Sequence, residues 1–197
     1  MNSSAGSLGE MVNSSITVLT KPSISTFEMY ERRGTMRDAL IYVGVAAIVG
    51  GILSFLLGLF GGIGSAVTSL LTTVIIALVS FFVFAYALFA MGRQQGGTGS
   101  QDEVFYTCAL YTAPLLAING IIGALVSVIP FLGCITWPAS LALWLYQAYL
   151  GYLAARSSMN LDQTKGIVTV LVAIAAQIIL GTFIVGAIIT AIFLRGS

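Results

Sequence analysis

Three long runs of residues without a single charged side chain shape the chain: Ala39 to Gly92, Val104 to Ala155 and Gly166 to Leu194, of 54, 52 and 29 residues. A helix crossing roughly 30 Å of hydrocarbon needs about 20 residues, and 54 residues in one rod would extend about 80 Å. The first two runs must therefore each fold back once. Tight reversals use glycine, which tolerates positive φ, or proline, which lacks a donor. "GGIG" (Gly61, Gly62 and Gly64) divides the first run, and "IPFLG" (Pro130 and Gly133) divides the second. The pattern predicts five spans, at about 36–60, 66–91, 102–129, 135–155 and 166–194. Helix is the expected state throughout, because unpaired strand edges are not tolerated in lipid and no alternating barrel pattern is present. The expected fold class is all-α: a polytopic bundle of five transmembrane helices with a short cytoplasmic interfacial helix at its N-terminus.

Between these runs the polar punctuation suggests how the chain begins and turns. Residues 1–21, rich in Ser, Asn, Gly and Thr, are expected to be a mobile tail, because too little apolar surface is available to offset ordering entropy. Residues 22–34 read as the interfacial helix, with Ser25 and Glu28 at capping-box spacing and Gly34 as a left-handed stop. Ile24, Phe27 and Tyr30 lie three apart and predict an apolar edge turned to the bilayer surface. Thr35 and Asp38 repeat the start signal and open the five-helix domain, residues 35–195. The loop "GRQQGGTGSQDE", with four glycines, is expected to be flexible, and Ser100 with Glu103 starts the helix after it. That loop has no lysine and so lacks the phosphate-loop pattern, which excludes nucleotide as a ligand. The opening residues lack a basic start and a continuous apolar core, so no cleavable targeting signal is expected and the first span directs insertion.

Composition agrees with this pattern: 58% of residues are apolar and 8% charged, far from the balance of a soluble domain. Five crossings sort the basic residues. Lys21, Arg32, Arg33, Arg37, Arg93, Arg156 and Lys165 fall on one side and only Arg195 on the other. Short loops rich in Lys and Arg stay cytoplasmic. The expected placement is the inner (cell) membrane, multi-pass, with the N-terminus cytoplasmic and the C-terminus outside.

The chemistry is limited by what the spans lack. Past the opening turns, which hold Arg37, Asp38, Asp102 and Glu103, no Asp, Glu, His, Lys or Arg lies inside any of them, which argues against pumps, voltage sensors and proton-coupled carriers. Ser and Thr need an activating base, and none is available in the membrane, so no enzyme is expected. Cys108 and Cys134 lie about 39 Å apart along a helix at 1.5 Å per residue. With no histidine in the chain, they imply no disulfide, metal or cofactor. Four polar residues remain near mid-depth: Ser80, Asn119, Gln147 and Gln177. They either bond between helices or line a polar conduit. Thr112, Asn119, Gly123 and Ser127 share one helical face, and Ser140, Trp144, Gln147 and Gly151 share another. Trp137 and Tyr152 suit the two membrane interfaces, whereas Trp144 and Tyr146 are deep enough to require partners in the bundle.

Four segments carry a likeness to a known family. They are "KPSISTFE" with Pro22 and Phe27, "LYTAPLL" with Tyr111 and Pro114, "IPFLG" with Pro130 and Gly133, and "WLYQAYLGY" with Trp144, Tyr149 and Gly151. Over about Pro22 to Leu194 the chain resembles the Yip domain family, integral membrane proteins named for interaction with Ypt and Rab GTPases. The resemblance implies five spans and a cytoplasmic N-terminus, and for eukaryotic members an adaptor role in vesicle traffic. Those members carry an Asp-Leu-Tyr-Gly-Pro type motif before the first span. Here the nearest stretch, "DALIYVG" from Asp38 to Gly44, lacks the proline, which favours the bacterial-type branch.

The expected function is a non-catalytic adaptor or membrane-organising component. Its docking surface is Lys21 to Asp38, with Phe27, Tyr30, Arg32, Arg33 and Arg37 as contact residues. Expected partners are membrane lipids, other membrane or cytoplasmic proteins and a second copy of the chain, but not nucleic acid. The alternative is a permease or channel for a neutral or lipid-like solute along Asn119, Gln147 and Gln177. Reporter tags fused to the two ends should be accessible from opposite faces of the membrane; access from one face would mean an even number of crossings.

Overall fold

The structure, a computed structural model, describes residues 8–129 and 131–195. Its helices are α1 (Leu8–Thr20), α2 (Ile24–Tyr30), α3 (Met36–Gly58), α4 (Ile63–Gln94), α5 (Gln101–Val128), α6 (Leu132–Ser158) and α7 (Gln163–Arg195), and no strand occurs among the described residues. Going round the bundle, α3 packs on α4, α4 on α7, α7 on α6, α6 on α5 and α5 back on α3. α1 lies against α5, and α2 against α6.

Local chemistry sets two of the long helix starts. The Thr35 hydroxyl accepts from the Asp38 amide at 3.4 Å, and Asp38 Oδ2 accepts from the Thr35 amide at 2.9 Å. Ser100 and Glu103 form the same reciprocal pair at 3.2 and 2.8 Å. Each pair satisfies amides that a helix N-terminus otherwise leaves open. The first reversal is a short 3₁₀ turn, Leu59–Gly61, followed by Gly62 at φ 95°, a left-handed backbone that glycine adopts without strain. Gly61 belongs to that 3₁₀ turn, while Gly64 is already inside α4. Gly133 is the second residue of α6, and Pro130 lies outside the described residues.

Five spans were expected, but among the described residues four helical segments are long and apolar enough to cross a membrane: Met36–Gly61, Ile63–Gln94, Gln101–Val126 and Gln163–Phe183. The exception is α6. Its 27 residues have the length, but Ser140, Gln147, Arg156 and the amphipathic rings of Trp137, Trp144, Tyr146, Tyr149 and Tyr152 make it less apolar than its neighbours.

The N-terminal segment is also corrected. Residues 8–20 are not a tail but a helix whose inner face is buried, with Met11 1% and Val18 0% exposed. The serines that suggested disorder have partners: Ser14 donates to the Glu10 carbonyl at 2.9 Å, and Ser15 shares a hydrogen bond with the Tyr42 hydroxyl at 3.0 Å. The outer face exposes Leu8, Val12 and Ile16 at four-residue spacing, an apolar stripe suited to lipid. The cap of α2 is Ser23, whose hydroxyl accepts from the Thr26 amide, rather than Ser25. Gly34 does not have positive φ. It lets the chain pass against the Tyr106 ring, which a Cβ there would overlap.

The loop after α4, expected to be flexible, is clasped onto the end of α6. The Thr98 amide donates to the Met159 carbonyl at 3.2 Å, and Asn160 Nδ2 to the Thr98 hydroxyl at 3.1 Å. Backbone approaches backbone so closely that a Cβ on Gly99 would run into the Ser158 carbonyl. Gly99→Ala should therefore lower stability by about 1–3 kcal/mol. Gly64→Ala, at a helical site with open space around it, should leave thermal unfolding in detergent unchanged or slightly raised.

Candidate docking surface and intramembrane polar site

The corner between α2 and α3 carries the expected docking residues, and the structure gives them different roles. Phe27 is fully buried, its ring edge-on to Tyr111 with centroids 6.3 Å apart. It anchors α2 and faces neither bilayer nor partner, because the core under α2 offers an aromatic contact that local spacing could not reveal. Tyr30 is half-buried beneath the Arg33 guanidinium, which sits 4.9 Å from the ring centroid. Arg33 Nε also donates to the Met29 carbonyl at 3.1 Å. Arg32 and Arg37 are exposed, the Arg32 side chain to 78%. The Arg32 Nε lies 3.5 Å from Glu31 Oε1 and 3.3 Å from Glu103 Oε1.

Below these side chains the backbone is tied down. Asp102 Oδ1, from the first turn of α5, accepts the Met36 amide at 2.8 Å, so it caps α3 from a neighbouring helix. Arg32, in the turn before α3, reaches the same first turn of α5 through Glu103. The corner thus presents three guanidinium groups on a base fixed by the capping box, the Asp102 cap and the buried Phe27.

Sequence reasoning missed Glu31, which sits within the charged run and reads as solvated. It is 8% exposed, and its Oε2 has no hydrogen-bond partner among the described residues. Burial pushes its carboxyl above the usual carboxylate range, and the negative charge of Glu103 pushes the same way. Arg32 opposes both, and Glu28 adds a smaller upward push.

The mid-depth polar residues largely gather at a second place. Ser80 of α4, Trp144 and Gln147 of α6 and Gln177 of α7 line a cavity of about 250 Å³, walled on its apolar sides by Phe84 and Ile178. Gln177 Nε2 reaches the Ser80 backbone carbonyl at 3.4 Å, an interhelical hydrogen bond through the α4 backbone rather than the serine hydroxyl. Asn119 does not join them. It is exposed on α5, a helix that does not line the cavity, so the proposed polar line across the bundle loses its α5 member.

A family model for the Yip1 domain matches residues 16–186. The chain belongs to the Yip1 domain family. The Yip1 match begins within α1 and ends within α7, so the α2–α3 corner, the clasped loop and the cavity all lie inside the family unit. No curated protein and no solved structure gives a significant match. The protein is thus a Yip1-domain membrane protein with several apolar helices.

A carboxyl whose pKa is raised on folding stabilises the fold while protonated. That contribution is present below the ordinary value of 4.5 and is lost as pH rises through the raised folded value. Glu31→Gln should remove this pH dependence. Thermal unfolding in detergent should find the variant more stable than the parent at neutral pH, with the gap closing as pH falls toward the ordinary carboxylate range.

Proposed function

We propose that this Yip1-domain protein is a non-catalytic adaptor of the inner membrane that docks an acidic protein surface at its α2–α3 corner. The supporting observation is the display of Arg32, Arg33 and Arg37 on a backbone fixed from three directions. Exposed ion pairs such as Arg32 with Glu103 contribute little to stability, so these guanidinium groups can exchange partners at small cost. Bidentate geometry suits Arg for carboxylate recognition across an interface.

In this reading α6 is the fifth span. At 1.5 Å per residue its 27 residues reach about 40 Å, and its flanks pack on α5 and α7. An odd number of crossings then puts Lys21, the three corner arginines, Arg93, Arg156 and Lys165 on the cytoplasmic side, in line with the positive-inside bias. The Leu8, Val12 and Ile16 stripe of α1 rests in the cytoplasmic leaflet, which brings the corner to the membrane surface.

A photo-crosslinking residue at position 33 should capture one discrete protein in cells. Arg32→Ala with Arg37→Ala should reduce that capture at least tenfold, since each charged interface contact contributes about 1.5 kcal/mol or more, while thermal unfolding stays unchanged. Capture that survives both substitutions would remove the corner as the docking surface.

A further inference from the structure

The cavity between α4, α6 and α7 has a chemistry that the adaptor role does not use. It sits at mid-depth: Ser80 lies 14 residues before the end of α4 at Gln94, Gln147 lies 11 before Ser158, and Gln177 lies 14 after Gln163. At 1.5 Å per residue these offsets put it about 16 to 21 Å from the ends carrying Arg93, Arg156 and Lys165. Among the described residues Gln147 makes no side-chain hydrogen bond, and Gln177 makes one, to the Ser80 carbonyl. An amide left without a partner in an apolar medium costs several kcal/mol, so the site calls for a hydrogen-bonding occupant.

Three properties narrow the occupant. No charged side chain lines the cavity, so it is neutral. A phosphate headgroup would have to bring its charge to mid-bilayer, which is prohibitively costly, whereas an alcohol can reach that depth and recover hydrogen bonds on arrival. Trp144 and Ile178 on the cavity wall are 48% and 56% exposed, so its open side faces the surrounding hydrocarbon and entry is lateral. Its volume of about 250 Å³ equals that of about eight waters at 30 Å³ each, enough for the polar end of a lipid but not its chains.

We infer that the α4–α6–α7 cavity binds the hydroxyl end of a neutral membrane alcohol, with Gln147 and Gln177 as its hydrogen-bond partners and the acyl chains left outside in the bilayer. An amide offers both donor and acceptor, so it can give to the alcohol oxygen and receive its proton. The indole ring of Trp144 supplies an apolar wall beside the first carbons of the chain.

The chain has two tryptophans, so Trp137→Phe leaves Trp144 as a reporter inside the site. That protein, reconstituted in phospholipid vesicles, is titrated with a diacylglycerol carrying brominated chains, and separately with the corresponding triacylglycerol, whose hydroxyl is capped. The expected result is saturable quenching of Trp144 by the diacylglycerol at a few mole per cent, and quenching by the capped lipid that only rises in proportion to its mole fraction. Gln147→Leu in the same background should raise the half-saturating concentration about tenfold, the loss of one hydrogen bond of about 1.4 kcal/mol. Proportional quenching by both lipids would reduce the site to ordinary lipid contact and overturn the inference. So would Trp144 emission that responds to protein-to-lipid ratio instead of to the alcohol, which would make the occupant a second copy of the chain. The comparison of free with capped lipid decides the matter even if Gln147→Leu fails to fold.

Discussion

Hydrocarbon offers no hydrogen bonds, and the architecture follows from the need to pair every polar group brought near it. The clearest case is the N-terminal pair α1 and α2. A helix leaves its last carbonyls unpaired, and in α1 that of Leu19 turns to the bundle. The Tyr146 hydroxyl of α6 donates to the Leu19 carbonyl, and the Thr26 hydroxyl of α2 donates to the Lys21 carbonyl. Ser15 pairs with Tyr42 of α3. Once these groups are satisfied, Met11, Val18 and Phe27 can close against the core, and the N-terminal segment becomes an integral part of the bundle.

That insertion explains why α5 changes character along its length. From Val104 to Ala113 every residue is buried, because α1 joins α3, α4 and α6 around it. Beyond Leu115 the shelter ends, and Ile118, Ile121 and Leu125 are exposed. Asn119 falls just past that boundary. A face calculated at 100° per residue says which side chains align but not where a helix leaves its cover.

Local chemistry was therefore legible in the sequence, and tertiary partnership was not. The Thr35–Asp38 and Ser100–Glu103 boxes depend on residues three apart, and Gly62 depends on its own φ, so each could be read in place. Depth along the helices set Ser80, Asn119, Gln147 and Gln177 at one level, but it did not say which of them share a cavity, and Asn119 does not. By contrast, the serines of α1 look like disorder until Tyr42 is beside them. Glu31 looks solvated until Glu103 and the core are placed around it. The glycines of the loop after α4 look like flexibility, whereas Gly99 is there to admit the Ser158 carbonyl.

Asp102 capping the amide of Met36, at the head of the packed α3–α5 contact, sets the starts of α3 and α5 at one height. Two rods levelled in this way cannot slide past each other to suit a thinner or thicker bilayer. Any thickness mismatch must instead be absorbed by leaning the whole assembly or by stretching and compressing the surrounding lipid. The protein would then impose its own preferred thickness on its immediate lipid neighbours.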